Sequence, residues 1–223
     1  MATAPYWTHI VKAILFILWL CAVPVGFAQN AAPEISKENR MLIQGALEDF
    51  DSKSYDAALE KLQKLEKDLP GDAFVMNLLG AAYTKKKDYA TARTYFDKVL
   101  VGQPNFFPAK FNLGELLFLQ RDYAGALEYF EKMRQTDARN ELLMFKVFLC
   151  QLQLGDKDAA QKTMKAIKCP GDTPAWYYAQ AAWESKNGDN KKAIEYLTGA
   201  KYIFGKKTAL FDETFDDLGI KLR

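Results

Sequence analysis

The groups in this 223-residue chain with the reactivity to support catalysis are one histidine, three cysteines and 28 carboxylates. The histidine is His9, inside an apolar N-terminal stretch that reads as removable, so no His/Cys or His/Asp pair is available downstream for nucleophilic catalysis. The carboxylates are scattered as on solvated helix faces. No cluster has metal-ligand spacing and no glycine-rich loop suits a phosphate, so the expectation is a non-enzyme without cofactor or metal. Cys150 and Cys169 sit toward the ends of two successive predicted helices. Antiparallel packing separates those ends by several residues at about 1.5 Å each, beyond the reach of a disulfide. Two unpaired, largely buried thiols are expected, with a disulfide left open by irregular spacing near Cys169.

Charge narrows the partners. Thirty basic and 28 acidic residues leave a formal +2, and no tract of one sign appears. A phosphate backbone calls for a basic stripe, so nucleic acid is not expected as a partner. The run Lys85 to Lys87 precedes a predicted turn and reads as a solvated loop.

Residues 1–28 differ from the rest. His9 and Lys12 precede the apolar run 13–23, then Pro24, with the small residues Gly26 and Ala28 placed for cleavage. That is the pattern of a secretory signal peptide, and the run is short beside the about 20 residues of a spanning helix. Cleavage after Ala28 would give a periplasmic or secreted protein. Retention would leave it anchored at the membrane, facing the exported side. Cys21 lacks the small preceding residues of a lipid-attachment site, having Trp19 and Leu20 instead. No Asn-x-Ser/Thr sequon stands out, and the compact signal favours a bacterial envelope.

A period of 34 residues organises the rest of the chain. Residues 73–106 and 107–140 align without a gap, pairing Gly80 with Gly114, Asp88 with Asp122, Tyr89 with Tyr123, Ala92 with Ala126 and Phe96 with Phe130. A whole set of matches at one period marks a repeat array. Residues 39–72 carry an earlier copy with Gly45 displaced by one. Residues 141–172 carry a later copy, about two residues short, and 173–203 a fifth whose turn is one residue longer at Asn187-Gly188. Phe148 stands where Gly80 and Gly114 are small, which loosens the fourth pair or shifts its register.

Within each copy the apolar residues return at helical spacing. Leu79 and Tyr83 share one face, and Ala92, Tyr95, Phe96 and Val99 form a second stripe, with Lys-Asp-Tyr as a short turn between. Small Gly80 and Ala92 allow close backbone approach. Pro70, Pro104 and Pro170 stop the second helices. Residues 29–38 read as a flexible lead. In the tail, 204–223, Leu210, Phe211, Phe215 and Leu218 form one helical face, with Asp212, Glu213, Asp216 and Asp217 turned to water. That fits a capping helix over the last repeat; the rival reading is a mobile acidic peptide that binds a partner.

These residues resemble the tetratricopeptide repeat family over residues 39–203. The resemblance implies an all-α, right-handed solenoid of about five helix pairs with a C-terminal capping helix. It also implies a protein or peptide partner held on a concave surface lined by the first helix of each pair. The equivalent inward positions are Asn77, Ala81 and Thr84; Phe111, Glu115 and Phe118; Phe145, Leu149 and Leu152; and Tyr177, Ala181 and Glu184. Phe111, Phe145 and Tyr177 recur at nearly one repeat length, so an aromatic ladder facing ligand and a structural core are both open. Some family members grip a terminal carboxylate with Asn and Lys; here Asn77 and Asn112 stand without recurring basic positions. The leading expectation is an exported adaptor that binds a peptide or protein segment in its groove. The alternative is a structural subunit of an envelope assembly that self-associates into a homo-oligomer. An enzyme acting on cell-wall polymers would need a polar cleft that the pattern does not predict.

Overall fold

The computed structural model describes residues 35–221. The segment read as a signal peptide lies outside the described residues. All regular structure among the described residues is helical, and no helix there is long and apolar enough to cross a membrane. The helices run in antiparallel pairs: α1 (Lys37–Asp51) with α2 (Tyr55–Asp68), α3 (Ala73–Lys85) with α4 (Tyr89–Gly102), α5 (Phe107–Leu119) with α6 (Tyr123–Arg134), α7 (Glu141–Leu154) with α8 (Lys157–Ala166), and α9 (Ala175–Lys186) with α10 (Asn190–Phe204). A 3₁₀ turn, Gly205–Thr208, leads to a last helix, α11 (Ala209–Asp217). The described residues form two compact units that divide after Leu113, within α5.

The turn inside each pair repeats one device. The residue before the cap of the second helix is left-handed at Lys53 (φ 59°), Lys87 (φ 64°), Arg121 (φ 63°), Gly155 (φ 80°) and Gly188 (φ 90°). In the last four turns the next residue is an aspartate whose side chain caps the helix. Asp88 accepts from the Thr91 amide, Asp122 from Gly125, Asp156 from Ala159 and Asp189 from Lys192. Each such cap contributes about 1 kcal/mol by satisfying an amide that the helix cannot. A left-handed lysine or arginine costs about 1–2 kcal/mol, which Gly155 and Gly188 avoid.

In the N-terminal unit, Ala46, Leu59, Leu62, Leu65, Val75, Leu78, Leu79 and Ala82 form a continuous buried core. Gly80 lies so close to Phe96 that an added Cβ would fall 2.4 Å from the ring. In the C-terminal unit Gly114 stands to Phe130 in the same way, at 2.6 Å. The equivalent small residue of the first repeat is Ala46, fully buried, and not its neighbour Gly45. Of the lead expected over 29–38, residues 29–34 lie outside the described residues, and Lys37 and Glu38 already belong to α1, with Ser36 capping the Asn39 amide. In the fourth repeat Phe148 is accommodated with no exposure, and its second helix is short at 10 residues.

The proline stops fall where expected, since α2, α4 and α8 end two to four residues before Pro70, Pro104 and Pro170. After α8 the chain makes a loop tied down by Glu141 of α7. Its carboxylate accepts from the amides of Asp172 (3.1 Å) and Thr173 (2.9 Å) and from the Thr173 hydroxyl. The thiol expectation needs one correction. Both Cys150 and Cys169 are free, but only Cys150 is buried. Cys169 is exposed because α8 ends at Ala166 and leaves it in that loop.

Candidate functional site

The first helices carry most of the polar and aromatic groups proposed for binding, so each unit is built up from them. In the N-terminal unit Asn77 is 5 % exposed, and its Oδ1 accepts from Asn112 Nδ2 at 2.9 Å. The bond gives the buried Asn77 side-chain oxygen a donor, as a buried polar group requires. Phe111 is buried and stacks on Phe107, with centroids 6.2 Å apart.

The C-terminal unit is built differently. Its α7 is almost wholly buried, from Leu143 to Leu152, and includes a lysine. Lys146 is 1 % exposed; its Nζ donates to Glu115 Oε2 at 2.7 Å and to Thr214 Oγ1 at 2.9 Å, and lies 5.3 Å from the centre of the Phe118 ring. A buried ammonium without partners is very unfavourable, and the carboxylate, hydroxyl and ring face together compensate it. Glu115 Oε1 and Gln151 Oε1 are buried without a hydrogen-bond partner. Nearby, burial pushes the Cys150 thiol up to about 12, and the negative charge of Glu115 adds to the shift. The thiol is therefore inert near neutrality.

Over this face lies α11. Phe211 sits 5.1 Å from Phe145 and 5.2 Å from Tyr178, and Phe215 sits 5.1 Å edge-on to Tyr178. The four rings interlock at the spacings aromatic pairs favour. The Tyr178 hydroxyl donates to Asp212 at 2.6 Å, and Asp212 also accepts from the Thr208 hydroxyl at 3.0 Å. Burial raises the Tyr178 phenol above its ordinary value, with the neighbouring Asp212 carboxylate adding to it. The tail is thus a packed helix, as the cap reading expects. Asp212 keeps its side chain 39 % exposed, as expected of the polar face, while also accepting from Tyr178 and Thr208.

The sequence-derived positions distribute unevenly. Phe118, Phe145 and Leu149 are buried within the C-terminal unit, with Phe118 edge-on to Tyr123 at 5.3 Å. Tyr177 turns away from Phe145. It packs against Trp176 at 5.0 Å and Phe204 at 6.0 Å, while Tyr178 takes the place beside Phe145. Glu184 accepts from Lys192 Nζ at 2.6 Å. Sequence reasoning passes over Lys146 and Tyr178. A signal for each is present: one cation inside the apolar run ELLMFKVFL, and a spacing of 33 from Phe145 that matches the 33 residues between the turn glycines Gly155 and Gly188. Among the described residues there is no group of three His, Cys, Asp or Glu placed to hold a metal ion. What the two units offer chemically is surface for packing and hydrogen bonding.

Comparison with known proteins agrees with this geometry. Models described as Tetratricopeptide repeat match residues 44–105 and 117–182. Cellulose synthase operon protein C of Escherichia coli (strain K12) is 29 % identical over 131 residues, and its putative counterpart in Escherichia coli O157:H7 is 30 % identical over the same length. Each alignment takes in 56 % of this chain but 11 % of the relative, so the chain spans about a tenth of the curated relatives it matches. Among solved structures, a thermophilic TPR protein of Thermus thermophilus has a TM-score of 0.65 at 19 % identity, covering 81 % of this chain and 98 % of that one. MamA 41-end from Desulfovibrio magneticus RS-1 has a TM-score of 0.56 at 20 % identity, covering 76 % and 96 %. At such identities the likeness is one of fold.

Proposed function

We propose, from the premise that this chain belongs to the tetratricopeptide repeat family, that it is a self-associating structural subunit of an assembly in the cell envelope. As a member of that family it is a non-catalytic protein-interaction module. The single observation that supports self-association is the contrast between two surfaces of the C-terminal unit. The first-helix face is already filled by α11, and so is closed to a foreign segment while α11 stays in place. Tyr202 and Ile203, side by side on the last turn of α10, are instead 91 % and 56 % exposed. An aromatic and a branched side chain held outward on a rigid helix favour burial against another protein. A second copy of the chain, presenting the same pair, is the simplest such partner.

The envelope location rests on the pattern of residues 1–28, with export and cleavage after Ala28 expected. Fractionation followed by N-terminal sequencing tests it: a soluble exported form beginning at Gln29 supports the placement, and an uncleaved cytoplasmic form removes it. Self-association is tested by co-expressing two differently tagged copies. Recovery of one tag with the other, lost on Tyr202→Ser/Ile203→Ser, supports the reading. Recovery of a single heterologous protein and no second copy would instead favour an adaptor.

A further inference from the structure

We infer that the end of α10 and the turn after it are a contact site for an anionic phospholipid bilayer. Tyr202 and Ile203 enter the headgroup region, and Lys201, Lys206 and Lys207 meet the lipid phosphates. The bilayer is a partner beyond the second copy of the chain, and the two compete for the same exposed pair.

Charge sets this stretch apart. Between Glu195 and Asp212 the sequence holds three lysines and no carboxylate, in a chain with 30 basic and 28 acidic residues. The three lysines border the apolar pair on both sides, in the order KYIFGKK, and all three are exposed. Lys201 lies 3.6 Å from Asp212, but the two side chains are 60 % and 39 % exposed. A pair so open to water is weak, and Lys201 can exchange it for a lipid phosphate at little cost.

The backbone holds the pair outward. Ala200, just before Lys201, is fully buried, and Phe204, just after the pair, packs on Tyr177 at 6.0 Å. The last turn of α10 is therefore seated on α9, which leaves Tyr202 91 % and Ile203 56 % exposed. Neither side chain fills core, so both are available for burial elsewhere.

These residue types suit a bilayer surface. A tyrosine sets its ring at the boundary of acyl chain and headgroup and keeps its hydroxyl hydrated, while lysine stems lie along apolar surface with the ammonium at phosphate level. Apolar burial and attraction to anionic lipid add together. Each lysine near such a surface is worth about a fivefold gain in affinity. A second copy presenting the same patch brings like charges together, and the stretch supplies no carboxylate to offset them. An anionic bilayer carries the complementary charge, so it displaces a second copy from the pair.

The test is cosedimentation of the purified protein with vesicles of phosphatidylcholine and phosphatidylglycerol, beside vesicles of phosphatidylcholine alone. Tighter binding to the anionic vesicles is expected, weakening as sodium chloride is raised. Lys206→Ala/Lys207→Ala should lower that affinity about twenty- to thirtyfold and leave self-association, read by sedimentation velocity, at least as strong. Tyr202→Ser/Ile203→Ser should weaken both. Hydrogen exchange localises the contact whatever residues 1–28 contribute: amides of 200–208 should slow on anionic vesicles and not on neutral ones. Exchange there that anionic vesicles leave unchanged, or that both kinds of vesicle slow equally, overturns the proposal. The two readings fail separately. A protein that self-associates but shows no such protection loses the bilayer contact alone, and a monomer protected at 200–208 by anionic vesicles loses the association alone.

Discussion

Replacing Gly80 by alanine perturbs the closest helix contact of the N-terminal unit, and the outcome is calculable. The new Cβ would stand 2.4 Å from Phe96 Cε1, and Phe96 has no exposure through which to swing aside. Ordinary carbon contacts lie at about 3.5–4.0 Å, so the overlap exceeds about 1 Å. Overpacking of that kind costs about 1–3 kcal/mol, offset by about 1 kcal/mol from the better helix propensity of alanine. Gly80→Ala should therefore lower stability by about 0–2 kcal/mol. Phe96→Leu alone should cost about 1–2 kcal/mol through lost burial. The double variant recreates the combination of the first repeat, where Ala46 and Leu62 occupy the equivalent positions and both are fully buried. With the ring gone the overlap vanishes while the propensity gain remains. The two changes should couple favourably by about 1–3 kcal/mol. Urea unfolding of the four proteins measures the cycle, read at constant slope. Additivity within about 0.5 kcal/mol would refute the claim that ring and glycine are fitted to one another.

Three further outcomes rest on the same packing. Iodoacetamide at pH 8 should modify Cys169 in the native protein and leave Cys150 untouched until unfolding, as peptide mass spectrometry would read; early labelling of Cys150 would contradict its burial. Tyr95 is pushed up to about 12 by burial and then by the charge of Glu66, which accepts a hydrogen bond from its hydroxyl at 3.2 Å. The fold thus favours the neutral phenol, so this stabilisation is complete below pH 10 and is lost as pH rises toward about 12. Denaturation across that window should be less steep for Tyr95→Phe, and an unchanged profile would dismiss the contribution. Finally, Gly155→Ala should destabilise by about 1–2 kcal/mol because its φ of 80° suits glycine, whereas Lys87→Gly at the same turn position should cost little or stabilise; thermal melts compare the two.

Much of this architecture can be read from the residues, because the repeat writes each structural need at a fixed spacing. The period of 34 residues places the helix pairs, and small Gly80 with Ala92 announces a close crossing, which the structure shows with Phe96 set against Gly80. Where the spacing drifts, periodicity misleads by single residues. Gly45 attracts attention although Ala46 holds the buried position, and Tyr177 is put forward although Tyr178 meets Phe145. Chemistry that depends on distant parts of the chain is hidden altogether. Lys146 gains its meaning from Thr214, 68 residues away, and the half-exposed Asp212 gains a donor from Tyr178, 34 residues before it. Cys169 is misjudged for a local reason, the early end of α8. Helical periodicity reports which face is apolar, and says nothing of which later segment covers it.

The most direct measurement is sedimentation velocity of the purified protein over a wide concentration range, beside the Tyr202→Ser/Ile203→Ser variant. Association through this surface predicts a sedimentation coefficient that rises with concentration in the parent protein and stays at the monomer value in the variant, whose circular dichroism should be unchanged because both side chains are exposed. A parent protein that remains monomeric throughout, or a variant that associates as strongly as the parent, would contradict self-association through this surface.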